Sequence, residues 1–403
     1  MKYSKQEIME YVRLEDVKFI RLAFCDVFGR QKNIAIMPTE LERAFRDGIA
    51  IDASAIAGFG GEVRSDLFLH PDPATLSGLP WRPENGKVVR MFCRVAYPDG
   101  TTLETDCREM LISAVQRAER RGVSFAFGTE MEFYLFRIDE NGNSTLIPYD
   151  TATYMDIAPH DRGENIRREI CLTLEQMGIR PECSHHEEGP GQNEIDFRYS
   201  DPVSAADNAI TFRSVVEAIV DRNGLAADFS PKPLPDHSGN GMHVNLSVRS
   251  KDRKDLLPAV IAGIMEHIEE ITVFLNPMEQ SYARLGSKKA PGYISWSSEN
   301  RSQLIRIPAS PVEYRRAELR SPDPSANPYL VFALLIHAGL DGIERGLPMP
   351  DPADFNLYTA GQEELSSFRR LPGSLKEAEE RAKASLFAAN WVPREILRSY
   401  CDR

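Results

Sequence analysis

Apolar and polar positions alternate along FAFGTEMEFYLF, residues 125–136. Phe125, Phe127, Met131, Phe133 and Leu135 share one face, and Glu130 and Glu132 share the other. A period of two predicts a strand with one apolar face. Two carboxylates on its polar face repel each other unless cations neutralise them. Four further segments carry similar polar faces. SHHEEGPGQNEIDFRY sets His185 and Glu187 on one face and, after a Gly-Pro-Gly break, Glu194 with Gln192 on another strand. GMHVNLSV alternates Met242, Val244, Leu246 and Val248 against His243, Asn245 and Ser247. QLIRIP carries Arg306, and YRRAELR places Arg316, Glu318 and Arg320 together.

Around these strands the pattern predicts helices. Asp106 caps CREMLISAVQRAERRG, which Gly122 ends. GENIRREICLTLEQMG ends at Gly178, and SAADNAITFRSVVEAIVDRNG runs from a Ser204 cap to Gly224. Apolar helices follow in KDLLPAVIAGIMEHIEEITVFLNP and NPYLVFALLIHAGLDGIERG, and a last one in SLKEAEERAKASLFAANW precedes a short tail. Near the N-terminus, VKFIRLAFCDVFGRQKNIAI reads as two strands about a Phe28-Gly29 turn, and RPENGKVVRMFCRVAYPDGTTL as a strand pair ending at Pro98-Asp99-Gly100. The expected class is α+β: a small, mostly β unit over residues 1–100, then a larger unit over 101–403 with helices on a largely antiparallel sheet.

Composition narrows the function. A chain of 403 residues is long for one core, which suits two units. The net charge of −12, with no basic stripe, argues against nucleic acid as a partner. Six scattered cysteines without a CxxC pair suit reduced thiols in a cytoplasmic protein. No apolar run reaches the length of a membrane span.

Taken singly, each polar face has a plain explanation: a core histidine, or a surface ladder of salt bridges worth little. Together, Glu130, Glu132, Glu187, Glu194, Glu318 and His243 make a set dominated by carboxylates. Hard oxygen donors with one imidazole and no sulfur suit Mg²⁺ or Mn²⁺. Nearby arginines suit phosphate and carboxylate groups. Metals with arginines point to phosphoryl transfer from a nucleotide, and without a GxxxxGK[ST] loop that nucleotide lies outside a P-loop.

Five blocks resemble the signatures of glutamine synthetase, in order: GTEMEFYLF, SHHEEGPGQNEIDFRY, KPLPDHSGNGMHVNLS, NRSQLIRIP and RAELRSPDPSANPYL. IDASAIAGF resembles the aspartate loop of that family. The resemblance covers nearly the whole chain. It implies a β-grasp N-terminal domain, an open catalytic sheet, and a homo-oligomer of stacked rings in which one subunit's N-terminal loop completes its neighbour's site. It implies ATP as co-substrate and two to three Mg²⁺ or Mn²⁺ ions per site. Glu132, Glu187 and Glu194 would hold one ion, and Glu130, His243 and Glu318 another. Glu182, Asn245, Ser247, Arg306 and Arg316 fall at nucleotide positions, Asn245 where the family usually has histidine. Tyr154, Ser238, Gly239, Arg284, Arg301 and Arg320 fall at substrate positions, Tyr154 together with Asp52 matching residues that line the family's ammonium pocket. Asp52, Arg301 and Glu187 would carry the chemistry, in which an acyl phosphate is made from ATP and opened by an amine.

Two departures lie on the amine side. Ala55 stands where the family's aspartate loop usually has serine. RLGSKKAPG is one residue shorter than the family's flap and puts Lys289 where a glutamate is usual. A lysine repels an ammonium ion. The expectation is therefore a ligase that joins glutamate, or a close analogue, to an amine other than ammonia, with Lys288 and Lys289 meeting an anionic or larger substrate. The alternatives are an ordinary glutamine synthetase with a divergent flap, a non-catalytic relative, or a guanidino kinase of the wider superfamily.

Overall fold

The computed structural model describes residues 3–60, 65–81, 86–287, 289–298, 300–308 and 315–402. Among these, six strands form an N-terminal sheet: β1 (Val17–Cys25), β2 (Gln31–Ile36), β3 (Ile49–Asp52), β4 (Asp66–Pro71), β5 (Ser77–Gly78) and β6 (Lys87–Ala96). The path runs β2-β1-β6-β4-β3, with β1 and β6 parallel and their neighbours antiparallel. Helices α1 (Lys5–Leu14) and α2 (Leu41–Asp47) cover it. This is the expected β-grasp unit. The strand pair expected about Pro98-Asp99-Gly100 shrinks to a single bridge between Ala96 and Thr102.

The larger part holds α3 (Cys107–Arg120), α4 (Glu164–Gln176), α5 (Pro202–Arg222), α6 (Leu257–Leu275), α7 (Glu279–Arg284), α8 (Pro328–Arg345), α9 (Gln362–Leu365), α10 (Leu375–Ala384), α11 (Leu386–Trp391) and α12 (Arg394–Cys401). Its sheet contains β7 (Val123–Ile138), β8 (Ser144–Pro148), β9 (Pro181–His186), β10 (Gln192–Phe197), β11 (Leu225–Asp228), β12 (Met242–Ser250), β13 (Trp296–Ser297), β14 (Ile305–Arg306) and β15 (Ala317–Leu319). The order is β13-β14-β15-β12-β7-β10-β9, antiparallel except for β13 with β14. β7 is central, and its apolar residues Phe127, Met131 and Phe133 are fully buried in the core, where Phe127 stacks on Phe332 of α8 and Phe133 meets Phe212 of α5 edge-on.

Local chemistry sets the helix ends. Asp106 accepts from the N–H groups of Arg108 and Glu109, and Gly122 adopts φ +71°. α5 starts earlier than expected: Asp201 caps it by accepting from Ser204 N, and Pro202 occupies the first turn, where a missing N–H costs nothing. The last expected helix is two, α10 and α11, because Ser385 ends one and caps the other by accepting from Ala388 N. The tail beyond them is α12. Its Tyr400 is fully buried, donates to Val27 O at 3.0 Å, and packs on Phe28 and Phe274. Asn327 Nδ2 donates to the same carbonyl at 2.9 Å. The β-grasp unit is thereby seated on the catalytic unit. Among the described residues, no helix is long and apolar enough to cross a membrane.

Candidate active site

Strands β7, β10, β12 and β15 turn one polar face toward a cavity of ≈ 260 Å³. Register decides what meets there. Glu194 of β10 pairs with Glu132 of β7, Asp196 with Glu130, and His243 of β12 with Glu130 from the other side. Glu130, Glu132, Glu187, Glu194, His243 and Glu318 all line the cavity, together with His185 and Asp196.

Two halves differ in electrostatics. On one side, arginines balance the carboxylates. Glu318 takes contacts from Arg320 Nη1 and from Arg306 Nη1 at 3.1 Å. His243 Nδ1 lies 3.3 Å from Glu130 Oε2 and 3.8 Å from Glu318 Oε1. Asn245 Nδ2 donates to Glu130 Oε1 at 2.8 Å, and its Oδ1 accepts from Arg316 Nε at 2.9 Å. Burial alone would raise the Glu130 carboxyl, but His243, Asn245 and Arg320 together hold it at about 2.

On the other side the carboxylates are short of partners. Burial, then the charge of Glu132, pushes Glu187 up to about 7. Burial, then Glu132 and Asp196, also pushes Glu194 well above the ordinary range. Burial and Glu130 push Asp196 up to about 6. The His185 imidazole lies 3.4 Å from Glu194 and 3.7 Å from Glu187. Such a cluster lacks positive charge, and divalent cations fit it. Glu130, His243 and Glu318 offer ligand atoms within 4.8 Å of one another, and so do the sets Glu132–Glu194–His243 and His185–Glu187–Glu194. The expected trio Glu132, Glu187 and Glu194 is split between these two sets, which share Glu194.

The remaining expected residues divide. Tyr154, Ser238, Gly239, Arg284, Lys289, Arg301, Arg306, Arg316 and Arg320 line the cavity. Gly239 is required: a Cβ there would stand 2.4 Å from Pro231 O. Arg284 is buried and donates to Ser321 O and Arg320 O. Lys289 adopts φ +71°, unusual for a residue with a side chain. Its Nζ lies 5.0 Å from the Tyr154 ring centre and 3.7 Å from Glu188 Oε1. Glu188 in turn accepts from Ser238 Oγ at 2.8 Å. Lys288 lies outside the described residues. Ser247 stands on β12 beyond the cavity lining, and Glu182 is exposed, 3.9 Å from Arg198. Asp52 and Ala55 are exposed on the β-grasp unit and do not line this cavity. Sequence reasoning missed Asp196 and Glu188. Asp196 follows Glu194 by two on a strand, so the period of two was its signal. Glu188 carried none.

The sequence matches family models for the glutamine synthetase β-grasp domain over residues 16–98 and the glutamine synthetase catalytic domain over residues 104–403. The chain belongs to the glutamine synthetase family.

Within that family it is 42% identical to a glutamine synthetase of Clostridium saccharobutylicum, covering 99% of this chain and 94% of the relative. It is equally similar, at 42%, to a glutamine synthetase of Methanosarcina mazei, covering 98% of this chain and 92% of the relative. Among solved structures it is similar to a GmaS/ADP complex, with TM-score 0.88, 27% identity, and coverage of 98% of this chain and 94% of that one. The glutamine synthetase family member described here is a ligase that forms C–N bonds.

Proposed function

We propose that the protein joins the side-chain carboxylate of glutamate, or a close analogue, to an amine other than ammonia, driven by ATP. In this reading residues 1–100 are the β-grasp unit and 101–403 the catalytic unit. A carboxylate is a poor acylating agent because oxide is a poor leaving group. Transfer of the γ-phosphoryl group makes an acyl phosphate, and attack by the amine expels phosphate. Arg306 and Arg316, the latter donating to Asn245, would meet the nucleotide phosphates, with Glu182 and Ser247 as further nucleotide residues. Arg284, Arg301 and Arg320 take the acid and the charge that builds on the transferred group. Glu130, His243 and Glu318, and Glu132, Glu187 and Glu194, would hold Mg²⁺ or Mn²⁺, which neutralise phosphate charge when bound. The similarity to a GmaS/ADP complex supports a nucleotide as ligand. Asp52, exposed on the β-grasp unit, would bind or deprotonate the amine in the site of a neighbouring subunit of a homo-oligomer.

The observation that carries the choice of amine is Lys289. Its ammonium group stands over Tyr154 at the expected amine pocket, held by Glu188. A lysine there disfavours an ammonium ion and favours an amine with an anionic or larger substituent. The 42% relatives favour ammonia instead. A coupled ATP-hydrolysis assay with glutamate and a panel of amines, ammonia included, decides between them, with products identified by mass spectrometry. A substituted amine is expected to exceed ammonia in kcat/KM. Efficient glutamine formation, with no gain from any other amine, overturns the reading.

A further inference from the structure

Behind the cavity, Asp150 and His186 form a buried pair that the chemistry above does not use. His186 is fully buried and Asp150 nearly so. His186 Nε2 lies 2.9 Å from Asp150 Oδ1, and Nδ1 lies 2.6 Å from the carbonyl oxygen of Glu187. Each ring nitrogen faces an acceptor, so the ring cannot turn without losing a contact. Asp150 also accepts from three backbone N–H groups: Gly191 at 3.1 Å, Ala152 at 3.3 Å and Arg162 at 3.0 Å. One carboxylate thus closes both ends of the loop 150–162 and ties its base to the β9–β10 turn.

That loop carries Tyr154 to the cavity. Met155 N donates to His186 O at 3.0 Å, and the Tyr154 ring packs edge-on against His185 at 5.5 Å. Glu187 follows His186 in the chain. Asp150, Asp161 and His186 come close enough together to suggest an ion. Arg167, however, pairs with Asp161 and donates to Asn193, so donors already fill this place.

We propose that Asp150 and His186 are positioning residues that fix the 150–162 loop against Glu187, and so set where Tyr154 stands relative to the incoming amine. The proposal rests on the amine-side role of Tyr154 in the reading above, but not on which amine is used. Outer partners that orient metal-ligating side chains typically matter by about 10–100-fold, the scale taken for this pair.

Steady-state kinetics with ammonium chloride and with methylamine, in parallel, test it. Asp150→Asn and His186→Leu are expected to raise KM for either amine about tenfold or more while KM for ATP stays within about twofold. In a Tyr154→Ala background, Asp150→Asn is expected to add little. His186→Gln, which keeps a donor toward Asp150, is expected to recover part of the loss. Equal rises in both KM values, a fall in kcat alone, or independent addition of the Asp150 and Tyr154 effects overturns the proposal. If Asp150→Asn does not fold, the His186 pair of variants decides by the same split. A wild-type preference for ammonia would sink the amine reading and leave this split measurable with ammonium chloride.

Discussion

Glu132 and Glu194 are direct partners across the β7–β10 pair, two carboxylates facing each other in a part of the cavity with few cations. Like charges so placed oppose folding. The strain appears in Glu187 and Glu194, whose carboxyls burial and Glu132 push upward, Glu187 to about 7 from 4.5. Without metal, the folded state then holds a proton on Glu187 that the unfolded state has released between about pH 4.5 and 7. Stability contributed by this group is therefore present below that window and lost as pH rises through it. Calorimetry in chelator is expected to show Tm falling over that range, and falling less in Glu187→Gln. Mg²⁺ or Mn²⁺ should raise Tm more above pH 7 than below it, since the ion competes with the proton. An identical slope in Glu187→Gln, with no gain from metal, would count against the site.

Asn245 bridges Glu130 and Arg316 with both ends of its amide. Hydrogen bonds to charged groups contribute about 1.5–3 kcal/mol each. Asn245→Ala is expected to raise KM for ATP about tenfold or more, with KM for the amine little changed. An unchanged KM for ATP would remove Asn245 from the nucleotide site.

Asp52 and Glu187 belong to different parts of one chain, and Asp52 does not reach the cavity of its own subunit. If a neighbour supplies it, Asp52→Ala and Glu187→Ala are each inactive alone. Oligomers assembled from a mixture of the two then regain activity, because some sites take both intact residues. Mixtures as inactive as their parents would contradict a shared site.

Tyr400 joins the two units through Val27, Phe28 and Phe274. Tyr400→Ala should cost about 3–5 kcal/mol, as large aromatic truncations in a core do. Tyr400→Phe should cost about 1 kcal/mol, the worth of one hydrogen bond. Chemical denaturation measures both. A cost for Tyr400→Ala no larger than that for Tyr400→Phe would show the ring contacts to be idle.

Much of this was legible in the chain because strand alternation is a local signal. Glu130 and Glu132, His243 with Asn245, and Arg316 with Glu318 could be assigned to polar faces before any pairing was known. What pairs with what was not legible: β7 meets β12 and β10 through long-range register, which decides that Glu194 opposes Glu132. Element ends shifted where two signals competed, as at Pro202, where Asp201 rather than Ser204 caps the helix. The α10–α11 break was hidden because Ser385 sits inside an unbroken helical pattern. His186 gave no signal, since its role depends on Asp150 far away in sequence.

The central claim concerns Lys289, and exchanging that residue tests it most directly. The measurement is the ratio of kcat/KM for the best substituted amine to that for ammonia, in the wild-type protein and in Lys289→Glu. The account expects a ratio above one in the wild type and a shift toward ammonia of about tenfold or more in the variant, since one reversed charge near the pocket is worth upward of about 1.4 kcal/mol. A wild-type ratio below one, unmoved by Lys289→Glu, would contradict it.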